Sequence, residues 1–147
     1  MKLYKATETD IDRVSDLFNE YRVFYNQPSD LEGAKRFIRD RMDYGDSVIF
    51  VAVKDDAYVG FIQLYPSLSS ISMRRTWVLN DLYVVENMRN QGIAQKLINE
   101  AIVLCSETNA IYLSLQTAPN NQAAQRLYEK NHFILDSEYY SYTLRLG

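Results

Sequence analysis

The chain has 147 residues, 47% hydrophobic and 24% charged, which suits a single domain with a sizeable core. A net charge of −3 with no basic run argues against a nucleic-acid partner, and the single cysteine, Cys105, excludes an internal disulfide and a cysteine zinc cluster; no metal is expected. Met1-Lys2-Leu3-Tyr4-Lys5 lacks a signal-like apolar core and no apolar run reaches membrane-spanning length, so a cytoplasmic protein without a membrane partner is the default expectation.

Lys2 to Ala6 alternates apolar and polar residues, as a strand does. Thr7-Glu8-Thr9-Asp10 is a helix-start cluster, and Ile11, Val14, Leu17, Phe18 and Tyr21 then follow helical spacing as far as about Tyr25. Pro28-Ser29-Asp30 breaks this helix and starts a second, whose apolar face is Leu31, Ala34, Phe37, Ile38 and Met42. Tyr44-Gly45-Asp46 ends it. Ser47 to Lys54 is a continuous apolar run, expected as a buried strand. Asp55-Asp56-Ala57 makes a short hairpin loop into a strand from Tyr58 to Tyr65, with Gly60 marking a bulge or a close approach. Pro66 to Ser72 reads as a serine-rich loop and Arg75 to Val85 as the fourth strand. A third helix runs from Gln91 to about Thr108, with Ile93, Leu97, Ile98, Ala101, Ile102 and Cys105 toward the sheet. Ala110 to Gln116 is a fifth strand. Asn120 or Asn121 caps a fourth helix ending near Lys130. Phe133 to Asp136 and Glu138 to Leu146 are two last strands in a hairpin.

The stretch from Leu79 to Leu97 carries the chemistry. An apolar strand runs through a polar turn, Arg89-Asn90-Gln91-Gly92-Ile93-Ala94, into an amphipathic helix. A helix start offers backbone N–H groups with no partner inside the helix and the positive end of its dipole, and both suit a phosphate. Gly92 has no Cβ to block close approach, Ala94 keeps the next position small, and Arg89 is placed to meet a phosphate oxygen. A plain strand–turn–helix connection would use the same residues.

This turn resembles the Arg/Gln-x-x-Gly-x-Gly/Ala signature of the GNAT N-acetyltransferases, which grips the pyrophosphate of acetyl-coenzyme A. Further along, Asn121, Ala124, Leu127, Tyr128 and Phe133 fall in register with that family's Asn-x-x-Ala-x-x-Leu-Tyr-x-x-x-Gly-Phe. His132 replaces the usual glycine. It stands where the helix ends at a residue with positive φ, which histidine tolerates better than most. The resemblance covers nearly the whole chain and implies the GNAT fold, a mixed and mostly antiparallel α/β sheet of six to seven strands flanked by about four helices, in the order β-α-α-β-β-β-α-β-α-β-β. The strand before the phosphate turn and the next strand are expected to splay, admitting the pantetheine arm, whose amides hydrogen-bond the exposed strand backbone. Phe61 to Ser70 and Trp77 to Val84 look like the branch related to the histone and polyamine acetyltransferases, which implies an amine acceptor.

Amine acetylation needs a neutral nitrogen, a polarised thioester and a protonated leaving thiolate. An alkyl ammonium titrates near ~10.4 and a thiol near ~8.5, so deprotonation is the harder proton task. The resemblance implies acetyl-CoA as cofactor, bound by Leu82, Tyr83, Val84, Arg89, Asn90, Gln91, Gly92, Ile93, Ala94, Asn121 and Ala124. It makes a backbone N–H near Val84 the thioester donor and Tyr128 the acid at sulfur. Asn80 and Asp81 are adjacent polar residues in an apolar strand, and strand alternation points them to opposite faces. Asp81 is then a base or water relay, or else a structural acceptor. Tyr25, Gln63, Tyr65 and Asn80, with Tyr21 and Arg22, are candidates for the acceptor pocket. Cys105 reads as a small core residue and His132 as a helix terminator. The expected reaction is direct acetyl transfer to a small primary amine of amino-acid or polyamine type. A protein lysine or N-terminal acetyltransferase and a non-catalytic acyl-CoA-binding module stay open. A homodimer is a further expectation, with Tyr139 to Leu146 pairing across it.

Overall fold

The computed structural model describes residues 1–147, which fall into two compact units, 1–116 and 117–147. The first unit contains β1 (Lys2–Lys5), α1 (Ile11–Phe24), α2 (Leu31–Tyr44), β2 (Val48–Lys54), β3 (Ala57–Ser69), β4 (Arg74–Val84), α3 (Ile93–Glu107) and β5 (Leu113–Ser114). The sheet order is β1-β2-β3-β4-β5, antiparallel except for the parallel pair β4 and β5.

Local chemistry sets the element ends. Asp30 Oδ1 accepts the Gly33 N–H at 2.9 Å and caps α2, and Gly45 closes that helix at a φ of 60°. Asp55 and Asp56 both take positive φ, 50° and 65°, as a two-residue hairpin between β2 and β3 requires. Val14, Leu17, Phe18, Ala34 and Ile38 of α1 and α2 pack with Ile49, Val51 and Phe61 of the sheet. Each of these side chains except that of Ala34 contributes roughly 1.5–3 kcal/mol through its burial. The neighbouring residue in β3, Gly60, faces the other way. A Cβ there would lie 3.0 Å from the Tyr83 carbonyl oxygen and 3.4 Å from Leu97 of α3, so the close approach expected at this glycine is real. The α1–α2 pair and α3 therefore cover opposite faces of the sheet.

Three expectations are corrected. The strand expected to stop at Tyr65 continues to Ser69, with Pro66 opposite Trp77; the pairing with β2 has already ended at Leu64, opposite Val48, so one side of the strand carries no ladder there and a residue without an N–H is tolerated. The fifth strand keeps only Leu113 and Ser114 of the expected Ala110 to Gln116. The final hairpin is absent: no residue from 133 to 147 lies in a strand, and the sheet has five strands, not six or seven. Strand-forming composition makes a strand only where a neighbour supplies the other half of the ladder.

The second unit contains α4 (Gln122–Lys130). Asn121 Oδ1 accepts the Ala124 N–H at 3.2 Å and caps it. His132 takes a φ of 69°, and the Phe133 N–H donates to the Tyr128 carbonyl while the His132 N–H donates to the Glu129 carbonyl, both at 3.0 Å. This is the Schellman closure, and the Tyr128 and Phe133 rings that flank it pack edge-on at 5.6 Å.

Candidate active site

The register of β4 decides which of its backbone groups are available. Gly60 and Val84 are cross-strand partners, and the Val85 N–H donates to the Val59 carbonyl at 2.9 Å, so Gly60–Val84 is a non-hydrogen-bonded pair. Alternation then turns Leu82 and Val84 away from β3 and gives Tyr83 its bonds to Phe61. On the other side β4 meets β5 only at Trp77–Leu113 and Val78–Ser114. Past Val78 no strand faces β4, and Leu82 and Val84 present their peptide groups to that gap. The splay expected between these two strands is present.

The gap leads into the turn before α3. Asn90 and Gly92 take φ values of 62° and 81°, and a Cβ added to Gly92 would meet nothing within 4 Å. The glycine thus serves the backbone conformation and keeps space open in front of the helix. The first bond of α3 runs from the Lys96 N–H to the Gly92 carbonyl, so the Ile93 and Ala94 N–H groups have no partner inside the helix. No acidic residue stands in its first turn. These donors and this space fit a phosphate group.

Arg89 is anchored. Its Nε donates to the Val84 carbonyl at 2.9 Å, and its guanidinium lies 5.0 Å from the Phe24 ring centre and 5.5 Å from that of Tyr83. The same residue ties the end of β4 to the turn and forms one wall of a cleft of about 390 Å³, which Asn19, Glu20, Val23, Phe24, Tyr83 and Glu86 complete. Tyr83 turns its side chain to α1, against Tyr21 and Phe24 at 6.2 Å each.

A buried polar cluster lies farther back on the same strand. Asp81 is 3% exposed, and its Oδ2 accepts from Gln63 Nε2 at 2.6 Å while its Oδ1 accepts from Asn80 Nδ2 at 3.2 Å. The opposite orientation expected of Asn80 and Asp81 does not occur, because a bulge between Gln63–Asp81 and Leu64–Leu79 makes Asn80 the extra residue and breaks the alternation. Gln63 is fully buried, and its Oε1 accepts from Ser47 at 2.9 Å. Burial pushes the Asp81 carboxyl above the usual carboxylate range, with hydrogen bonds from Gln63, Tyr21 and Asn80 acting against it. Burial, and then the Asp81 charge, push the Tyr65 hydroxyl up to about 12.

The structure thus brings Gln63, Tyr65, Asn80 and Asp81 together as one cluster. Tyr25 caps the end of α1, half exposed and packed on Tyr21 at 5.0 Å, and Arg22 donates to the Pro28 carbonyl. Asn121, Ala124 and Tyr128 lie on the second unit, at and within α4. Cys105 is half buried, and burial raises its thiol, which suits an unreactive packing residue. Sequence reasoning missed Ser47, Phe24 and Glu86. Ser47 joins the cluster only through the β2–β3 register, which no sequence spacing signals.

A family model described as the acetyltransferase (GNAT) family matches residues 11–133. The chain belongs to that family. As a GNAT protein it is an acetyl-CoA-dependent N-acetyltransferase. It is 39% identical over 146 residues to a Bacillus subtilis (strain 168) protein named uncharacterized N-acetyltransferase YhfO, covering 99% of this chain and 98% of that one. A solved structure described as a probable acetyltransferase, also 39% identical, superposes with a TM-score of 0.95 over 100% of this chain and 99% of that one. A predicted acetyltransferase from Clostridium acetobutylicum, solved with acetyl-CoA, shares the fold at a TM-score of 0.79 and 14% identity over 97% of this chain and 95% of that one. No helix is long and apolar enough to cross a membrane.

Proposed function

We propose that this enzyme acetylates a small primary amine of amino-acid or polyamine type by direct attack, with residues 1–147 acting as one acetyltransferase domain. The observation that carries the proposal is the β4 edge at Leu82 and Val84, which no strand pairs and which leaves the Val84 N–H for a ligand while Arg89 holds its carbonyl, opening onto the left-handed Gly92 at the start of α3. Acetyl-CoA supplies the activated acyl group as a thioester. The backbone of Asn90, Gln91, Gly92, Ile93 and Ala94 would hold its pyrophosphate, and Arg89 would add positive charge beside it. Leu82 and Val84 would hold the pantetheine amides, and the Val84 N–H would meet developing charge on the thioester oxygen. Tyr83 gives its side chain to the cleft wall and its backbone to β3. Asn121, Ala124 and Tyr128 enter through the motif that they match in the family, Tyr128 as the proton donor to sulfur.

Asp81 is the proposed proton acceptor, directly or through water. A carboxyl raised by burial is a stronger base than a surface one. Gln63, locked between Ser47 and Asp81, is a positioning residue. A cleft of about 390 Å³ is the size of a small-molecule site. Its Glu20 and Glu86 carboxylates suit an ammonium group through charge, beside the Arg89 guanidinium that already stands over the Phe24 and Tyr83 rings. Free-thiol release from acetyl-CoA, measured against a panel of amino acids, polyamines, other amines and peptides, tests the proposal. Turnover with small amines is expected. Turnover confined to peptides would make the protein a protein acetyltransferase, and none anywhere with coenzyme A bound would leave an acyl-CoA-binding module.

A further inference from the structure

Gln63, Asn80 and Tyr21 all donate to the Asp81 carboxylate, and they differ in what they can do with a proton. Gln63 Nε2 and Asn80 Nδ2 are amide nitrogens, which give hydrogen bonds and take none. The Tyr21 hydroxyl is both a donor and an acceptor. Of these partners it alone has an oxygen that can receive a proton while its own proton passes on.

Asp81 is nearly closed off from solvent, and the fully buried Gln63 holds one of its oxygens at 2.6 Å. Tyr21 is half-buried and comes from α1, which supplies Asn19, Glu20, Val23 and Phe24 to the cleft. The rings of Phe18, Tyr25, Phe61 and Tyr83 flank the Tyr21 ring at 5.0–6.2 Å and fix where its oxygen stands. Tyr83 is itself a wall of the cleft. At the other end the Tyr21 hydroxyl lies 3.4 Å from the carbonyl oxygen of Asn80, the extra residue of the β4 bulge beside Asp81. Tyr21 thus stands between the open cleft and the buried carboxylate.

We infer that Tyr21 relays the proton of the acceptor ammonium from the cleft to Asp81. The inference rests on Asp81 as the proton acceptor. An N–H bond of the ammonium breaks and its proton goes to the Tyr21 oxygen, as the Tyr21 O–H bond breaks and that proton goes to the carboxylate. The amine is left neutral, the phenol is restored and the carboxylate becomes a carboxyl, so charge is cancelled rather than created in the buried cluster. Moving both protons together avoids a free tyrosinate, which a phenol of pKa ~10 does not readily give at neutral pH. The other titratable and charged groups around the pair are Tyr25 on α1, Tyr65 with Arg41 and Asp46, and Tyr83 with Glu20, Glu86 and Arg89. None of them donates to Asp81.

The test compares Tyr21→Phe, Asp81→Asn and the double variant with wild type, using the amine or peptide that wild type turns over fastest. Tyr21→Phe keeps the ring and its packing and removes only the hydroxyl. Its kcat/KM is expected to fall by roughly 10²-fold at neutral pH, with the loss narrowing toward the amine's own pKa as it does for Asp81→Asn. Because the two groups form one path, the double variant is expected to lose no more than the worse single variant. The melting shift with coenzyme A is expected to match that of wild type. In the chain without substrate, the Asp81 carboxyl carbon, followed by NMR, is expected to titrate at higher pH in Tyr21→Phe, because a donor to the charged form is gone. A Tyr21→Phe rate like that of wild type, a loss equal at every pH, an additive double variant or an unmoved Asp81 titration overturns the relay. If Asp81→Asn keeps its own pH-dependent loss, Asp81 then takes the proton without Tyr21. Parallel profiles for Asp81→Asn and wild type remove the proton acceptor and the relay with it, as does a wild type that turns over nothing. If Asp81→Asn does not fold, the Tyr21→Phe profile and the carboxyl titration still decide.

Discussion

Two buried carboxylates respond to their surroundings in opposite directions. Asp10, 4% exposed, accepts from the Thr7 N–H at 2.9 Å and from the hydroxyls of Tyr4 at 2.8 Å and Tyr58 at 2.5 Å. Burial alone would raise it, but these donors outweigh burial and hold it below its ordinary value, while burial and the Tyr58 and Asp10 contacts raise Tyr4. A lowered carboxyl gives stability that is complete above its unfolded value, near 3.8, and is lost as pH falls through the folded one. Asp10→Asn turns a donor toward a donor and is expected to cost about 1–3 kcal/mol at neutral pH, with a flatter loss of stability below pH ~4 in melting curves. Asp81 has the opposite sign. Its raised carboxyl gives stability that is present below the unfolded value and lost as pH rises through the folded one, so the cost of Asp81→Asn shrinks with rising pH across the carboxylate range. If Asp81 accepts the amine proton, the folded variant loses kcat/KM by roughly 10²-fold or more at neutral pH, and the loss narrows toward the amine's own pKa, where solvent supplies the neutral nucleophile. Parallel pH–rate profiles for variant and wild type would return Asp81 to a structural role.

Local devices shape the elements: a side-chain cap starts α2 and likewise α4, a left-handed glycine precedes α3, and a bulge interrupts β4. The closure of α4 allows a direct test of one of them. His132 holds an αL conformation that costs an L residue roughly 1–2 kcal/mol, and glycine escapes that cost while losing about 0.5–1 kcal/mol to its freer unfolded chain. His132→Gly is expected to raise stability by up to about 1 kcal/mol in thermal or urea melts, with the acetylation rate unchanged. A loss of stability would show that the imidazole makes contacts that outweigh the backbone strain.

At the scale of the molecule, ligand and fold are linked. Coenzyme A that binds only the native chain stabilises it by about 2.7 kcal/mol when present at 100 times its Kd. A differential scan with coenzyme A is therefore expected to show a melting shift that grows with ligand concentration. Gly92→Glu should abolish it, because the new side chain enters the open space before α3 and brings a negative charge to the pyrophosphate position. A folded Gly92→Glu protein with the wild-type shift would move the cofactor elsewhere.

Local signals in the sequence were sufficient for the helix starts at Asp30 and Asn121, the tight turn at Asp55-Asp56 and the close approach at Gly60, and the family motif pointed to the positive φ of His132. Each depends on residues within one turn or one strand, where spacing and side-chain chemistry act alone. The family motif added the strand order. Three other features belong to tertiary structure because they depend on segments distant along the chain. The bulge that joins Asn80 to Asp81 exists only in the β3–β4 register, and with it the cluster that Ser47 and Gln63 complete. Arg89 reaches the Phe24 ring because α1 packs over the end of β4. The Tyr139 to Leu146 pattern is strand-like in sequence, but a strand also needs a second segment in register, and no residue from 133 to 147 lies in a strand.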